Sequence, residues 1–246
     1  MNLSHRTVLI TGGASGIGLA LAQRLHARGC TVIVCGRRAD RLAEAAAALP
    51  GLFTWVCDLT DPAERALLAV RVVAEHPELD VVIHNAGIQN RLRFDVPGAE
   101  WAAMHTEITT NLDAPIHLTQ LLLPHLLARP DAAIVNVTSG LAFAPAAFAP
   151  VYSATKAALH SFTLSLRLQL RETSVRVLEL VPPAVNTDLG GPGLHTFGEP
   201  VDAFVDAVLP RFEAGEVEVG YAYSEAGRLA GRAETDALFA RINTPR

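Results

Sequence analysis

Tyr152 and Lys156 stand four positions apart, the spacing that brings two side chains to one face of a helix. A tyrosine paired in this way has a chemical use. Reducing a carbonyl needs a proton at oxygen as hydride reaches carbon, and a free phenol, with a pKa of about 10, gives up its proton reluctantly. A lysine ammonium nearby favours the phenolate and lowers that value. The phenol then becomes a usable acid, and its conjugate base serves the reverse reaction. Ser139 follows an apolar run upstream and can donate a hydrogen bond to the same substrate oxygen. A lone Tyr-x-x-x-Lys is commonplace on helices. Its weight here comes from the serine and from a glycine loop at the other end of the chain.

That loop is TGGASGIG, residues 11–18, directly after the apolar run Thr7-Val8-Leu9-Ile10. Gly12, Gly16 and Gly18 suit a turn from strand into helix, where the backbone takes positive φ and a phosphate approaches closely. The helix that follows would aim its free N–H groups at that phosphate, with Ser15 and Ile17 on the same turn. The spacing G-x-x-x-G-x-G differs from the G-x-G-x-x-G of many dehydrogenases, and its place between a first strand and a first helix marks a dinucleotide turn. The second strand, Thr31 to Cys35, ends in Gly36-Arg37-Arg38 with no carboxylate. An acidic residue there would hold the 2′-OH of NAD, whereas guanidinium suits the 2′-phosphate of NADP. NADP(H) is therefore expected over NAD(H). Asp58 and Leu59 follow the third strand, where a carboxylate can bond adenine and leucine can cover the ring. Asn85, Ala86 and Gly87 follow the fourth, where small residues let backbone pass close to a cofactor.

The elements that must carry these residues alternate regularly. Strands are expected at 7–10, 31–35, 53–57, 80–84, 133–138, 175–181 and 217–221. Helices are expected at 17–28, 41–49, 61–75, 151–171 and 201–212, with a long helical region over 100–127 broken near Pro115 and Pro124. Asp61 reads as a helix cap and Pro62 as the first helical residue. Short strands apolar on both faces, alternating with helices, imply an α/β fold: a doubly wound, Rossmann-like parallel sheet with helices on both faces. No linker or repeat divides residues 1–246, so a single domain is expected, with a polar, partly helical tail from Ser224.

Composition narrows the partners. Half of the 246 residues are hydrophobic, 18% are charged, and the formal net charge is -5. No long basic run exists, so nucleic acid is not an expected partner. Residues 132–155 carry no charge, but their prolines and polar residues read as a strand running into a site rather than a membrane helix. Cys30, Cys35 and Cys57 form no CxxC and read as reduced, packed thiols of a cytoplasmic protein, and no secretory signal is visible. A serine hydrolase is disfavoured because Gly13-Ala14-Ser15-Gly16-Ile17 breaks the G-x-S-x-G pattern. A metalloenzyme is disfavoured by the lack of HExxH or clustered ligands.

Taken in order, TGGASGIG, Asp58-Leu59, HNAG at 84–87, Asn111, Ser139 and YSATK at 152–156 closely resemble the short-chain dehydrogenase/reductase family of the single-domain type. VTSGLAF, VYSATKAALHSF and VPPAVNTDL are similar to its DltE-like subgroup, a label that implies little about substrate. The resemblance implies that Ser139 positions the carbonyl, Tyr152 transfers the proton and Lys156 also bonds the nicotinamide ribose. It implies that Asn111 holds a water linking Lys156 to solvent, and that Pro182, Val185 and Thr187 lie along the nicotinamide. It further implies a homodimer or homotetramer, through helices near 101–128 and 151–171. Two departures stand out: His84 where the family often has asparagine, and Pro183 where it usually has glycine. Leu141, Phe143, Ala144, Phe148 and Leu189 would wall an apolar pocket for a ketone, aldehyde or secondary alcohol, under a lid formed by residues 186–200. The alternative is a non-catalytic NADP-binding sensor on the same fold, which would have no need for Asn111, Ser139, Tyr152 and Lys156 together.

Overall fold

A computed structural model describes residues 2–98 and 100–244. Seven parallel strands form one sheet in the order β3-β2-β1-β4-β5-β6-β7. They are β1 (Thr7–Thr11), β2 (Thr31–Gly36), β3 (Phe53–Val56), β4 (Leu79–His84), β5 (Ala132–Val137), β6 (Val175–Val181) and β7 (Glu218–Gly220). The helices are α1 (Gly16–Ala27), α2 (Ala39–Ala48), α3 (Pro62–Glu75), α4 (Trp101–Ile108), α5 (Ala114–Leu127), α6 (Pro150–Gln169), α7 (Val201–Glu213), α8 (Tyr223–Leu229) and α9 (Arg232–Asn243).

The strands read as continuous apolar runs because helices cover both faces. Successive residues point to opposite sides of the sheet. Val8, Ile10, Val32, Val34, Val81 and Ile83 face one cluster with Leu21 and Leu25 of α1 and Phe204, Val208 and Phe212 of α7. Leu9, Ile33, Leu79, Val82, Ile134 and Val177 face the other, with Leu68 and Val72 of α3 and Leu118, Leu122 and Leu126 of α5. Each such side chain contributes roughly 1.5–3 kcal/mol on burial. All three cysteines are free and buried. Burial pushes the Cys57 thiol up to about 12, so it stays protonated and unreactive at neutral pH. Among the described residues no helix is long and apolar enough to cross a membrane.

The chain leaves β1 toward β2 and β3, then returns to lay β4 on the other side of β1. The loops after β1 and β4 therefore diverge, and a crevice opens at the carboxyl ends of these strands, where ligands bind in such sheets.

The helical region between β4 and β5 differs from expectation. Its break comes at Thr109–Asp113, which forms a single π-helical turn, ahead of Pro115. Pro115 follows the π turn at the start of α5, and Pro124 lies inside α5 without ending it. The tail beyond β7 folds into two helices, and α8 packs back onto the sheet edge through Ser224 Oγ, which donates to the Val181 carbonyl at 2.6 Å.

His84 closes β4 and is buried, with Nε2 3.0 Å from Thr119 Oγ1 and Nδ1 without a hydrogen-bond partner. Burial lowers its pKa from 6.5 to about 4. Between those values the unfolded chain binds a proton that the folded chain refuses, so stability falls as pH drops through this window. The loss reaches about 3 kcal/mol near pH 4. In urea titrations at pH 7 and pH 4.5, His84→Asn is expected to lose much less stability on acidification than the parent. Equal losses would show that His84 is not the group responsible.

Candidate active site

The carboxyl ends of β1, β4, β5 and β6 bring the chemically capable residues together. Ser139 follows β5 and caps a short 3-10 turn, Gly140–Ala142, with Oγ accepting from Leu141 N–H at 3.1 Å. Pro150 begins α6, which places Tyr152 in the first turn and Lys156 one turn further, both buried. The Ser139 side chain lies near enough to the Tyr152 phenol to favour its ionised form. Lys156 Nζ lies 5.6 Å from the centroid of the Tyr152 ring and donates to the Val137 carbonyl at 2.8 Å.

The electrostatics differ in one respect from the sequence expectation. Burial raises the Tyr152 pKa, and the neighbouring Ser139 side chain pulls the other way. Lys156 is lowered to about 8, also by burial. Its ammonium is turned onto Val137 rather than onto the phenol oxygen, so loss of hydration outweighs its attraction for the phenolate. At pH 7 the ammonium is still largely protonated, in a pocket that makes its charge strongly felt.

Asn111 occupies the π turn, a distortion often found at functional sites. It accepts from Ile88 N–H at 2.9 Å and donates to Ile88 O at 2.8 Å and Thr155 Oγ1 at 3.2 Å. A Cβ on Gly87 would lie 3.4 Å from Asn111 Oδ1 and 3.6 Å from Lys156 Nζ. Gly87 thus keeps open a polar space between the two.

Around the first turn the backbone is tightly interlocked. Gly12 and Gly16 have φ of 66° and 54°, conformations that side chains resist. Asn85 Nδ2 donates to Thr11 O at 2.9 Å and Gly12 O at 3.2 Å, tying the β4 loop to the β1 loop. Thr11 Oγ1 accepts from the N–H groups of Asn85 and Ala86, both at 3.0 Å. Ser15 precedes α1, whose first turn has no acidic residue and no side-chain cap, and Ile17 packs on the core. Free N–H groups beside open backbone make a cradle that fits a pyrophosphate. Arg38 Nη2 donates to Ser15 Oγ at 3.0 Å. Burial works to raise the Asp58 carboxyl, but hydrogen bonds from Thr60 and, less strongly, the Arg37 charge hold it below the usual range. These residues fit a nicotinamide dinucleotide.

Other residues are placed differently from expectation. Leu59 is buried in the core beside β3 rather than on an open surface. Asp58 Oδ1 is engaged by Thr60 N–H and Oγ1, both at 2.9 Å. The proposed apolar wall is divided. Leu141 borders a hollow with Pro145, Pro150 and Phe239. Phe148 borders another with Arg91, Leu92 and Val96. Phe143 lies edge-on against His160, 4.7 Å between centroids, and Ala144 is buried. Residues 186–200 are fastened at their base: Val185 bridges Glu199, and Asn186 N–H donates to Glu199 O at 2.8 Å. Thr187 stands next to Gly16, and Leu189 N–H donates to Thr187 Oγ1 at 3.4 Å. Pro182 O accepts from Gly140 N–H at 2.9 Å.

Tyr223 was not suggested by sequence. Its ring touches Gly140, its hydroxyl accepts from the Ala184 N–H, and its oxygen is an electrostatic neighbour of Tyr152. Ala222 directly before it has a φ of 50°, a conformation alanine rarely takes. Nothing local in the tail signals this contact.

Residues 6–194 match the family described as short chain dehydrogenase. The chain belongs to that family. It is 47% identical over 249 aligned positions to the uncharacterized oxidoreductase DltE of Bacillus subtilis, covering 99% of each chain, and is of the DltE-like type. It is 35% identical to serine 3-dehydrogenase of Rhizobium radiobacter, covering 74% of this chain and 73% of that protein. Among solved structures, a short chain dehydrogenase from Burkholderia cenocepacia in complex with NADP superposes with a TM-score of 0.85 at 27% identity over the whole of both chains. One from Sphingobium yanoikuyae with NADPH gives 0.81 at 28% identity, covering 98% of each. The protein is thus a dehydrogenase/reductase of a family that uses nicotinamide cofactors and acts on small molecules.

A Cβ on Gly18 would lie 2.4 Å from Asn85 Nδ2 and 2.6 Å from Gly12 O. Gly18→Ala is therefore expected to force the two loops apart, lowering Tm by roughly 5–10 °C. It should also weaken NADPH binding at least about tenfold by fluorescence titration. An unchanged affinity in a folded variant would dissociate this packing from the cofactor.

Proposed function

We propose that the protein transfers a hydride between NADP(H) and a carbonyl or secondary alcohol, with Tyr152 as general acid and base. The observation that carries this reading is the placement of the Ser139 and Tyr152 side chains next to each other with the buried Lys156 ammonium alongside, at the carboxyl edge of the sheet. When bound, the nicotinamide supplies or accepts the hydride. The protein's own residues manage the proton. The Ser139 hydroxyl donates to the substrate oxygen and holds it against the Tyr152 phenol. Tyr152 gives up its proton as negative charge grows on that oxygen, and Lys156 stabilises the phenolate left behind. Asn111, fixed by Ile88 and Thr155, positions the polar space through which Lys156 is resupplied with protons.

Arg37 and Arg38 favour NADP(H), since no carboxylate occupies the end of β2 and Arg38 is already drawn toward the glycine loop by Ser15. The 186–200 segment serves as a lid that moves about a fastened base, and NADP-bound relatives of like fold agree with the cofactor choice.

The test follows absorbance of NADPH and NADH against a panel of ketones and aldehydes. Tyr152→Phe is expected to lower kcat at least about 10³-fold while retaining NADPH affinity. Replacing Arg37 and Arg38 together with alanine is expected to raise KM for NADPH by about tenfold or more and leave that for NADH nearly unchanged. Undiminished turnover in Tyr152→Phe, or a double variant that still prefers NADPH, would overturn the corresponding assignment.

A further inference from the structure

The loop after β4 carries side chains that the hydride chemistry leaves unused. Asn90 clamps it, its N–H and Nδ2 donating to the buried Glu107 carboxylate at 3.1 and 3.2 Å. Leu92 N–H donates to Phe148 O at 3.1 Å, fastening the loop to the segment that leads into Tyr152. Between these anchors Arg91 lies over the Phe148 ring, 4.7 Å from its centroid. Phe148 is four residues ahead of Tyr152, at most about 14 Å of chain. Arg91 also faces the lid: its charge, after burial, helps lower the pKa of His195. The imidazole is therefore neutral at pH 7, and the guanidinium supplies the positive charge at this opening. Arg93 next along is neutralised by Asp95, whereas no carboxylate among the described residues pairs with Arg91. Two further groups, one in the lid and one under it, are unused. Gln89 Oε1 and His195 Nδ1 are buried without hydrogen-bond partners, and Gly190 of the lid rests on Gln89.

A hollow of about 430 Å³ adjoins this cation, bordered by Leu92, Val96, Pro97 and Phe148. An unpaired guanidinium whose face is stacked on an aromatic ring keeps its N–H edge for a planar anion. Apart from Arg93, which Asp95 pairs, its neighbours around the hollow are uncharged, and the chain as a whole carries a formal net charge of -5.

We propose that Arg91 recognises a carboxylate on the substrate, so that the enzyme acts on an oxo acid or hydroxy acid with an apolar body. The carboxylate meets the guanidinium, the body lies on Phe148, Leu92 and Val96, and the carbonyl reaches Tyr152 and Ser139. This inference rests on the reductase reading of Tyr152, and it narrows the expected apolar substrate to one with a single anionic end.

The test compares pyruvate and levulinate with their methyl esters, using NADPH and either the parent enzyme or Arg91→Ala. The parent is expected to favour the better acid over its ester by roughly 10- to 100-fold in kcat/KM, the range for one charge-assisted bond. In Arg91→Ala that ratio is expected to collapse toward one through KM, and Arg91→Lys to restore part of it. A ratio near one in the parent, or an unchanged ratio in Arg91→Ala, would overturn the proposal. A second readout does not depend on turnover. The acids should raise Tm of the NADPH-saturated parent more than their esters do, and fail to do so in Arg91→Ala. Acid-specific stabilisation without NADPH oxidation would uphold the anion site and count against the reductase reading. NADPH oxidation with no preference for acids would do the reverse.

Discussion

The bond from Lys156 Nζ to the Val137 carbonyl is the contact on which the site turns. An ammonium inside a protein is costly unless its protons are engaged. Here one carbonyl at the end of β5 accepts a hydrogen bond from it, and the sheet edge leaves polar space toward Asn111 for its other N–H groups. This contact fixes where α6 must sit on the sheet. Once α6 is fixed, Tyr152 falls beside Ser139, because the serine leaves the same strand two residues beyond Val137. The proline that starts α6 and the glycine that follows Ser139 serve this geometry. So does the π turn, which rotates Asn111 toward Ile88.

The same logic explains what was legible in the sequence. The central strands could be read because both of their faces are buried and most of their residues are apolar. The glycine loop could be read because positive φ and close packing leave few other residue types. Tyr152 and Lys156 could be read because helical periodicity sets their mutual placement wherever the helix lies. The break in the helix before β5 was misplaced because proline is a local signal and the π turn is not. Thr109–Asp113 bends to satisfy contacts with Ile88 and Thr155, which are remote in sequence.

The parts that stayed hidden depend on tertiary contact. Tyr223 reaches Gly140 and Ala184 only because α8 folds back over β6, held by Ser224 on Val181. Leu141, Phe143 and Phe148 looked like one wall because they are close in sequence, but the turn after Ser139 sends them to different surroundings. Arg91 had no signal at all. An arginine in a loop is ordinary until its ring partner, its lid neighbour and its lack of a carboxylate are seen together.

The central claim is that hydride passes between the nicotinamide and a carbonyl held by Ser139 and Tyr152. The most direct measurement uses NADPH deuterated at its transferable position, with the product carbinol analysed by mass spectrometry. Deuterium is expected on the carbinol carbon, with transfer lost in Tyr152→Phe although the cofactor still binds. Product formed without the label, or labelled product at the parental rate from Tyr152→Phe, would contradict it.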